Sequence, residues 1–463
     1  MIYTFFAFQR YCLGSKSDVS KVIAGMDWQE LYSFASKQAL LGLCFEGIER
    51  LGKEYPEELR LNPIGRELLM TWMGKAQQIR RQNMKMNAVA SKLFSMLRED
   101  GLRCCILKGQ GNALMYPNPY SRTPGDIDVW IDASRERIME YAQKKYELGD
   151  DIRLQHLETS LDGVPVELHF FPCSMNNPIY HARLQKWFKR NADLQCSHIV
   201  GLPDGAGDIA IPTTAFNVVY QLTHLYHHFF DEGIGMRQII DYFLVVNDFS
   251  KNVFLDYDFS NHPVPLSKEG STFSPSPSSS GSGDVTAPSR CSEPLRSKDG
   301  GASKPSPDCA GWDRRGVSGD TSSASCSSAS GSSITSVRSA FTTDSSASTA
   351  LVVVQRELKY LGLWKFAGAV MYVLKEVLGL AEDKMIVPMD EKRGRLLLAE
   401  ILDGGNFGRH FTKYAGFTHQ SMGKKYFLKI WRNMHFVRYY PAEALSEPIF
   451  RTWHFFWRVK NKK

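Results

Sequence analysis

The sequence predicts an α+β fold in which a small group of strands lies between two helical regions. Apolar residues recur at helical spacing over residues 28–51 and 63–98. Short apolar runs typical of strands follow at residues 104–107 and after Asp126, and helical periodicity returns in the second half of the chain. This order, with the strands confined to the middle of the chain, is the reason for the α+β assignment.

Each element has a sequence signal of its own. Gly101 follows the N-terminal helices where a C-cap glycine belongs, because glycine adopts positive φ at little cost. Residues 151–159 and 164–171 are typical of two strands, and the Asp162-Gly163 pair between them indicates a tight hairpin turn. Later helices are predicted over residues 181–191, 215–230, 236–246 and from about 351 to beyond 380.

Residues 261–350 are rich in Ser, Gly, Pro and Thr and hold few large apolar side chains. Such a segment cannot bury enough surface to offset its chain entropy, so we expect a disordered insertion. The predicted organisation is an N-terminal helical region (1–100), a core (101–204), and a helical domain in two parts (205–260 and 351–463) on either side of the insertion.

Composition indicates a soluble protein of the cytoplasm. The net charge of +7 permits an anionic partner without requiring nucleic acid, and nine scattered cysteines do not suggest a disulfide framework. The apolar N-terminus has no preceding basic residue, so we expect no signal peptide. Lys365, Lys375 and Glu376 interrupt the most hydrophobic later stretch, which favours a buried helix and no membrane partner.

Asp126-Ile127-Asp128 opens an apolar run, and alternation along a strand directs both carboxylates to one face. Two adjacent carboxylates repel each other and lose solvation, so a fold that keeps them commonly supplies a cation. Magnesium is the natural candidate because it prefers oxygen ligands. Asp-x-Asp is also frequent by chance at strand edges and helix caps, so its surroundings must support this interpretation.

Glu167 and His169 alternate with apolar residues in the second hairpin strand and therefore share its polar face. A surface salt bridge would explain the glutamate. A third carboxylate beside an Asp-x-Asp pair is also what two-metal phosphoryl transfer needs, because two ions about 4 Å apart hold the attacking and leaving oxygens. His169 could orient Glu167 or a substrate, or be an ordinary hydrogen-bonded histidine at a strand end.

The stretch Lys108-Gly109-Gln110-Gly111 lies where the first apolar strand gives way to a helix. Backbone N–H groups and a lysine at such a junction can bind an anion. Arg237 and Asp241, four residues apart, would most simply form an intrahelical ion pair, although Arg237 near a helix start could instead contact the same anion.

Together these motifs resemble the DNA polymerase β type of nucleotidyltransferase superfamily and, within it, an uncharacterised nucleotidyltransferase family typical of bacteria. The family's successive motifs are matched by Leu107-Lys108-Gly109, Tyr116-Pro117, Arg122, Asp126-Ile127-Asp128 and the Val-Glu-Leu-His of residues 166–169. The similarity extends to residues 233–238 and to the aromatic C-terminal segment. In the phosphate loop, the Gly-Gly or Gly-Ser of the wider superfamily is Gly109-Gln110 here.

The resemblance implies a polymerase β-like core with a small mixed sheet, and transfer of a nucleoside monophosphate from a nucleoside triphosphate, such as ATP, to an acceptor hydroxyl. It implies that Asp126, Asp128 and Glu167 hold two Mg²⁺ ions, which Mn²⁺ could replace. Phosphate would be contacted by Lys108, the amides of residues 109–111, Arg122 and Arg237. The acceptor, which is a small molecule, a protein or a nucleic acid, and the oligomeric state stay open.

Two other functions are compatible with the sequence. A catalytically silent chain could keep the fold as an interaction or toxin-neutralising scaffold, although the three acidic residues argue against it. The basic and aromatic C-terminus could bind RNA or a membrane surface. We expect instead an amphipathic helix pair with aromatics such as Trp431 and Trp453 packed inward and the charges in water.

Three histidines, His224, His227 and His228, lie at helical spacing. They lack the glutamate of a His-Glu-x-x-His zinc motif. We therefore expect them to be structural or to face a substrate, and not to form a zinc site.

Overall fold

The structure is a computed structural model that describes residues 2–146, 153–252, 343–411 and 422–461. These residues belong to one compact unit. The predicted insertion lies outside the described residues except at its end, where a helix begins at Thr343 instead of near residue 351. The start of the first predicted hairpin strand, at residues 151 and 152, also lies outside them.

Helices surround a small sheet in the described part of the chain. The helices are α1 (Ile2–Cys12), α2 (Ser20–Ala24), α3 (Trp28–Lys37), α4 (Leu41–Glu54), α5 (Pro56–Leu61), α6 (Arg66–Glu99), α7 (Gly109–Ala113), α8 (Arg135–Lys145), α9 (Pro178–Ser197), α10 (Thr214–Asp231), α11 (Met236–Asn252), α12 (Thr343–Tyr360), α13 (Trp364–Leu378), α14 (Glu391–Gly404), α15 (Met422–Met434) and α16 (Pro441–Asn461). The strands are β1 (Cys104–Leu107), β2 (Ile127–Ile131), β3 (His156–Leu161), β4 (Val164–His169), β5 (Ile199–Gly201) and β6 (Asp208–Ala210).

Four strands form a mixed sheet in the order β1-β2-β4-β3. Strand β2 pairs antiparallel with β1 and parallel with β4, and β4 pairs antiparallel with β3. The remaining strands, β5 and β6, form a separate two-stranded sheet. The predicted α+β class, with a small mixed sheet between helical regions, is therefore confirmed.

The predicted hairpin forms between β3 and β4. Leu161 pairs with Val164, and the two residues between them have φ values of 51° and 71°, as a type I′ turn requires. This register places His156 opposite His169 and Glu158 opposite Glu167. Because directly opposed residues lie on the same face, both histidines and both glutamates share one side of the hairpin.

The sheet has a different hydrophobic core on each face. The odd-numbered residues of β2 and the even-numbered residues of β4 pack with α6 and α8. On the other face, Trp130 joins the core of the helical region and stacks on Phe216 of α10, with ring centroids 6.1 Å apart. Asp128, two residues before Trp130, shares this second face and therefore faces the helical region.

Helices from before and after the predicted insertion belong to one bundle, as expected. Helix α12 packs on α10, and α13 packs on α11. Helix α13 holds the most hydrophobic stretch and is buried along most of its length, with Lys365 and Glu376 exposed. No helix in the described ranges combines the length and apolar character needed to cross a membrane.

The C-terminal helix pair, α15 and α16, forms as predicted, but the expected inward packing of its tryptophans is wrong. Trp431 is 54% exposed and Trp453 is 50% exposed. Polar residues take the inward positions of α16, because Glu443 accepts hydrogen bonds from backbone amides and Glu447 accepts one from Arg451. The amphipathic pattern was therefore assigned to the wrong face.

Candidate active site

The register of two parallel strands brings two predicted site residues together. Asp128 of β2 is the direct neighbour of Glu167 in β4. Asp126 lies just before β2, two residues from Asp128, and its side chain is exposed, whereas Asp128 is 6% exposed. All three carboxylates line one cavity of about 580 Å³. An exposed carboxylate beside a buried one gives an approaching cation both access and oxygen ligands.

Lys108 lies at the end of β1, beside Asp128. Its backbone has φ 52° and ψ −128°, a conformation that residues other than glycine rarely adopt. Its Nζ donates to Asp128 Oδ1 at 3.2 Å and lies 2.7 Å from Nε2 of His224. The strained backbone therefore directs the ammonium group between the sheet and α10.

His169 connects the two neighbouring carboxylates. Its Nε2 lies 3.0 Å from Asp128 Oδ1 and 3.1 Å from Glu167 Oε2, while Nδ1 faces the amide of Gln155 at 3.3 Å. Nδ1 of His156, opposite it in the hairpin, is 3.2 Å from the same oxygen of Glu167. Two imidazoles thus flank one carboxylate oxygen.

The pKa values show how this chain balances the charge. Burial would raise the pKa of Asp128, but Lys108 and His169 outweigh it and lower this pKa strongly. Burial also opposes charge on His169, yet its hydrogen bonds to the two carboxylates raise its pKa to about 9. The pKa of Asp126 is raised, chiefly by the neighbouring Asp128 carboxylate.

The raised pKa of Asp126 bears on whether a metal ion fits this site. The surroundings of Asp126 balance its negative charge only in part, because the Asp128 carboxylate raises its pKa more than Lys108 lowers it. A divalent ion between Asp126 and Asp128 would relieve that repulsion, and carboxylate oxygens are the ligands that Mg²⁺ prefers. The donor set therefore fits the ion that the sequence predicted.

The opposite wall of the cavity is the C-terminal half of α10. His224, His227 and His228 all line it, together with Asp231. Burial lowers the pKa of His227 to about 4 and also lowers that of His224, which lies beside the Lys108 ammonium. Both rings are therefore neutral near pH 7. The expectation that these histidines face a substrate agrees with this position.

Arg122, Tyr116 and Asp241 form a buried network behind the site. Arg122 donates from Nε and Nη2 to the two oxygens of Asp241, at 2.9 and 2.8 Å, and the Tyr116 hydroxyl donates to the same carboxylate at 2.7 Å. The expected ion pair between Arg237 and Asp241 is therefore wrong, because Arg122 occupies the carboxylate. Arg237 instead donates to the carbonyl of Thr123 at 2.9 Å.

A smaller cavity of about 60 Å³ adjoins the carboxylates, and Lys108, Gly109, Arg122 and Arg237 line it. Nε of Arg237 is buried without a hydrogen-bond partner among the described residues. A buried donor without a partner is costly, so this atom is well placed for an anionic ligand.

The structure does not bring every predicted residue to the cavities. Gln110 is buried, and its amide donates to Asn87 of α6. Gly111 packs on Ile211, where an added Cβ would lie 3.0 Å from a methyl carbon. Neither residue lines either cavity. Lys108 and Gly109 are the residues of this loop that do so.

The comparisons with known proteins agree with the motifs. A model of a protein family described as uncharacterised nucleotidyltransferases matches residues 24–260, slightly more than half of the chain. No curated protein and no solved structure matches. The matched range includes the sheet, α10 and α11. It ends before the C-terminal helices, although the motif resemblance predicts that the family similarity reaches the aromatic C-terminal segment.

Proposed function

The chain belongs to the uncharacterised nucleotidyltransferase family, and we propose that it transfers a nucleoside monophosphate from a nucleoside triphosphate to an acceptor hydroxyl on a polymerase β-like core. The observation that carries this proposal is the meeting of Asp126, Asp128 and Glu167 in one cavity beside Lys108. Three carboxylates and a lysine beside the inner strands of a small sheet are what metal-dependent phosphoryl transfer needs.

In this proposal the carboxylates bind two Mg²⁺ ions, which Mn²⁺ can replace. Asp128 is central because it is buried, is ionised, and has Asp126 on one side and Glu167 on the other. The ions supply charge neutralisation and lower the pKa of a bound hydroxyl. Glu167 accepts a proton from the acceptor, and His169 positions Glu167 and Asp128 through its hydrogen bonds to both.

The triphosphate is held by the basic groups on the other side of Asp128. Lys108 is half of an ion pair with Asp128, and its ammonium would turn toward phosphate when a metal ion takes the carboxylate. The Gly109 amide and Arg237 line the adjoining small cavity and can donate to the same phosphates. Arg122 lines that cavity too, and it also holds Asp241 in place.

A label-transfer assay tests the activity. Purified protein, Mg²⁺ and nucleoside triphosphates labelled at the α-phosphate are incubated with cell lysate as the acceptor pool. We expect label in a macromolecule or small molecule with wild type and a loss of about 100-fold or more with Asp128→Asn, because a metal ligand matters at least as much as its supporting groups. Mass spectrometry of the products then identifies the acceptor class and the base.

The matched control is Asp132→Asn. Asp132 lies just beyond the other end of β2 and pairs with Arg103 on the surface. This variant should label as wild type does. Equal labelling by Asp128→Asn and Asp132→Asn would contradict the proposal and favour a catalytically silent scaffold.

A further inference from the structure

A second group of possible metal ligands lies beside the paired aspartates. His156, Glu167 and His169 each offer one ligand atom, and these three atoms all lie within 4.8 Å of one another. We propose that these residues bind a divalent transition-metal ion of the zinc class. The residues are supplied by the two strands of the hairpin, β3 and β4, and not by the Asp-x-Asp motif of β2.

The spacing of the donor atoms suits such an ion. Nε2 of His169 and Nδ1 of His156 lie 3.1 and 3.2 Å from the same oxygen of Glu167. With metal–ligand distances of about 2.1 Å, neighbouring donors are about 3.0 Å apart in an octahedral site and about 3.4 Å apart in a tetrahedral site. The two observed separations fall between these values, and the remaining pair of donor atoms lies within 4.8 Å.

His156 supplies the independent observation. It is 8% exposed and lines the main cavity, and neither ring nitrogen makes a well-directed hydrogen bond among the described residues, although Nδ1 lies 3.2 Å from Glu167 Oε2 and Nε2 lies 3.8 Å from Glu158 Oε1. Burying an imidazole without well-directed hydrogen bonds is unfavourable. A metal ion between Nδ1 and Glu167 would give this nitrogen a directed bond.

The chemistry of the donors selects the class of ion. Imidazole nitrogen suits zinc, copper, iron and nickel, whereas magnesium takes oxygen ligands. Two imidazoles and one carboxylate therefore disfavour Mg²⁺ at this position. Asp128 Oδ1, 3.0 Å from Nε2 of His169, can supply a fourth ligand. The ion displaces the proton that His169 shares with its two carboxylates.

This site rests on the proposed function only for its use in catalysis, where its ion would take the place of the Mg²⁺ ion on the Glu167 side. The binding itself requires no nucleotide. Label transfer with Mg²⁺ and binding of Zn²⁺ are separate measurements, so the failure of one proposal can be told from the failure of the other.

The test titrates Zn²⁺ alone into chelator-treated, full-length protein by calorimetry, and repeats the titration with Co²⁺ by visible absorption. We expect one strongly bound Zn²⁺ per chain and Co²⁺ bands that Zn²⁺ abolishes. His156→Gln and His169→Gln should each weaken Zn²⁺ binding by about 100-fold or more. Circular dichroism of each variant verifies that it is folded, and the two histidine variants check each other.

His227→Gln is the matched control, because His227 is a half-buried histidine on the opposite wall of the same cavity. It should bind Zn²⁺ as wild type does, and Asp126→Asn should also keep most of the affinity. The inference is overturned if wild type binds no Zn²⁺, if His156→Gln binds as tightly as His227→Gln, or if Asp126→Asn loses as much affinity as His156→Gln.

Discussion

Lys108 combines an unfavourable backbone conformation with a contact to the central aspartate. Non-glycine residues held in such regions cost about 1–3 kcal/mol and persist where the surrounding structure requires them. Here the strain directs the ammonium toward Asp128 and His224. The strain at Lys108 therefore lowers the free energy of unfolding. What the protein gains is an ammonium group placed beside Asp128.

A pair of substitutions measures this strain. Lys108→Gly and Lys108→Ala both remove the ammonium, so both should lose label transfer. Urea unfolding should find the glycine variant more stable than the alanine variant by about 1–2 kcal/mol, because only glycine adopts this φ freely. At Lys92, inside α6, the order should be reversed by about 1 kcal/mol. An alanine variant at position 108 as stable as the glycine variant would show that no strain is stored there.

His156 lines the main cavity but was not among the predicted site residues, although the sequence contains a signal that identifies it. The Asp162-Gly163 turn fixes the hairpin register, and counting back from the 161–164 pair sets residue 156 opposite residue 169. The turn predicts the hairpin, but His156 is recognised as a neighbour of Glu167 and His169 only when the cross-strand pairs are worked out. In contrast, Asp126, Asp128 and Glu167 followed directly from strand alternation and the family motif.

At the scale of elements, a buried glutamate of α16 contacts the connection between the sheet and α9. Glu443 is 1% exposed and accepts hydrogen bonds from the amides of Asn176 and Asn177, in the connection from β4 to α9. Burial raises its pKa to about 7, although the two amides favour the charged form. The connection that follows His169 is thus held by a carboxyl group that titrates near neutral pH.

This attachment predicts a pH dependence of stability. A carboxyl group with a raised pKa binds its proton more tightly in the folded state, so unfolding free energy falls as pH rises from about 4.5 to about 7 and then levels off. Between pH 5 and pH 8 this group should contribute a fall of about 2–3 kcal/mol, which Glu443→Gln should remove. Urea unfolding at both pH values tests this, with the exposed Glu391→Gln as control. A fall of equal size in both variants would exclude Glu443 as its source.

The helix positions and the hairpin were predictable because they depend on local periodicity and turn residues. The orientation of the C-terminal pair was not, because Glu443 gains its inward position through backbone amides that lie far away in the sequence. The exposure of Trp431 and Trp453 is a consequence of this orientation of the helix pair. Amphipathic patterning alone assigns the aromatic face to the core, and here long-range hydrogen bonding reversed it.

Across the whole molecule, a buried ion pair links the segment before β2 to the helical bundle. Arg122 and Asp241 are both almost fully buried, although they lie 119 positions apart in the sequence. Sequence spacing favoured a pair between Arg237 and Asp241 on one helix. The actual partner of Asp241 could not be predicted from the sequence, because it depends on how α11 packs behind the loop that carries Asp126.

The energetics of this link can be tested by a double-mutant cycle. Arg122→Met should lower the unfolding free energy by about 3–5 kcal/mol, because it leaves a buried carboxylate without its cation. The double variant Arg122→Met/Asp241→Asn should lose less than the sum of the single variants. Arg103→Met, which breaks the exposed pair with Asp132, should cost less than about 1 kcal/mol. Strict additivity would contradict a coupled buried pair.

The most direct test of the central claim, that the carboxylates form a divalent-metal site for a nucleoside triphosphate, does not depend on the acceptor. Calorimetric titration of a non-hydrolysable triphosphate should show binding in the presence of Mg²⁺ or Mn²⁺ and none with a chelator, and Asp128→Asn but not Asp132→Asn should lose this metal-dependent binding. Triphosphate binding that is the same with and without metal, or the same in the two variants, would contradict the account.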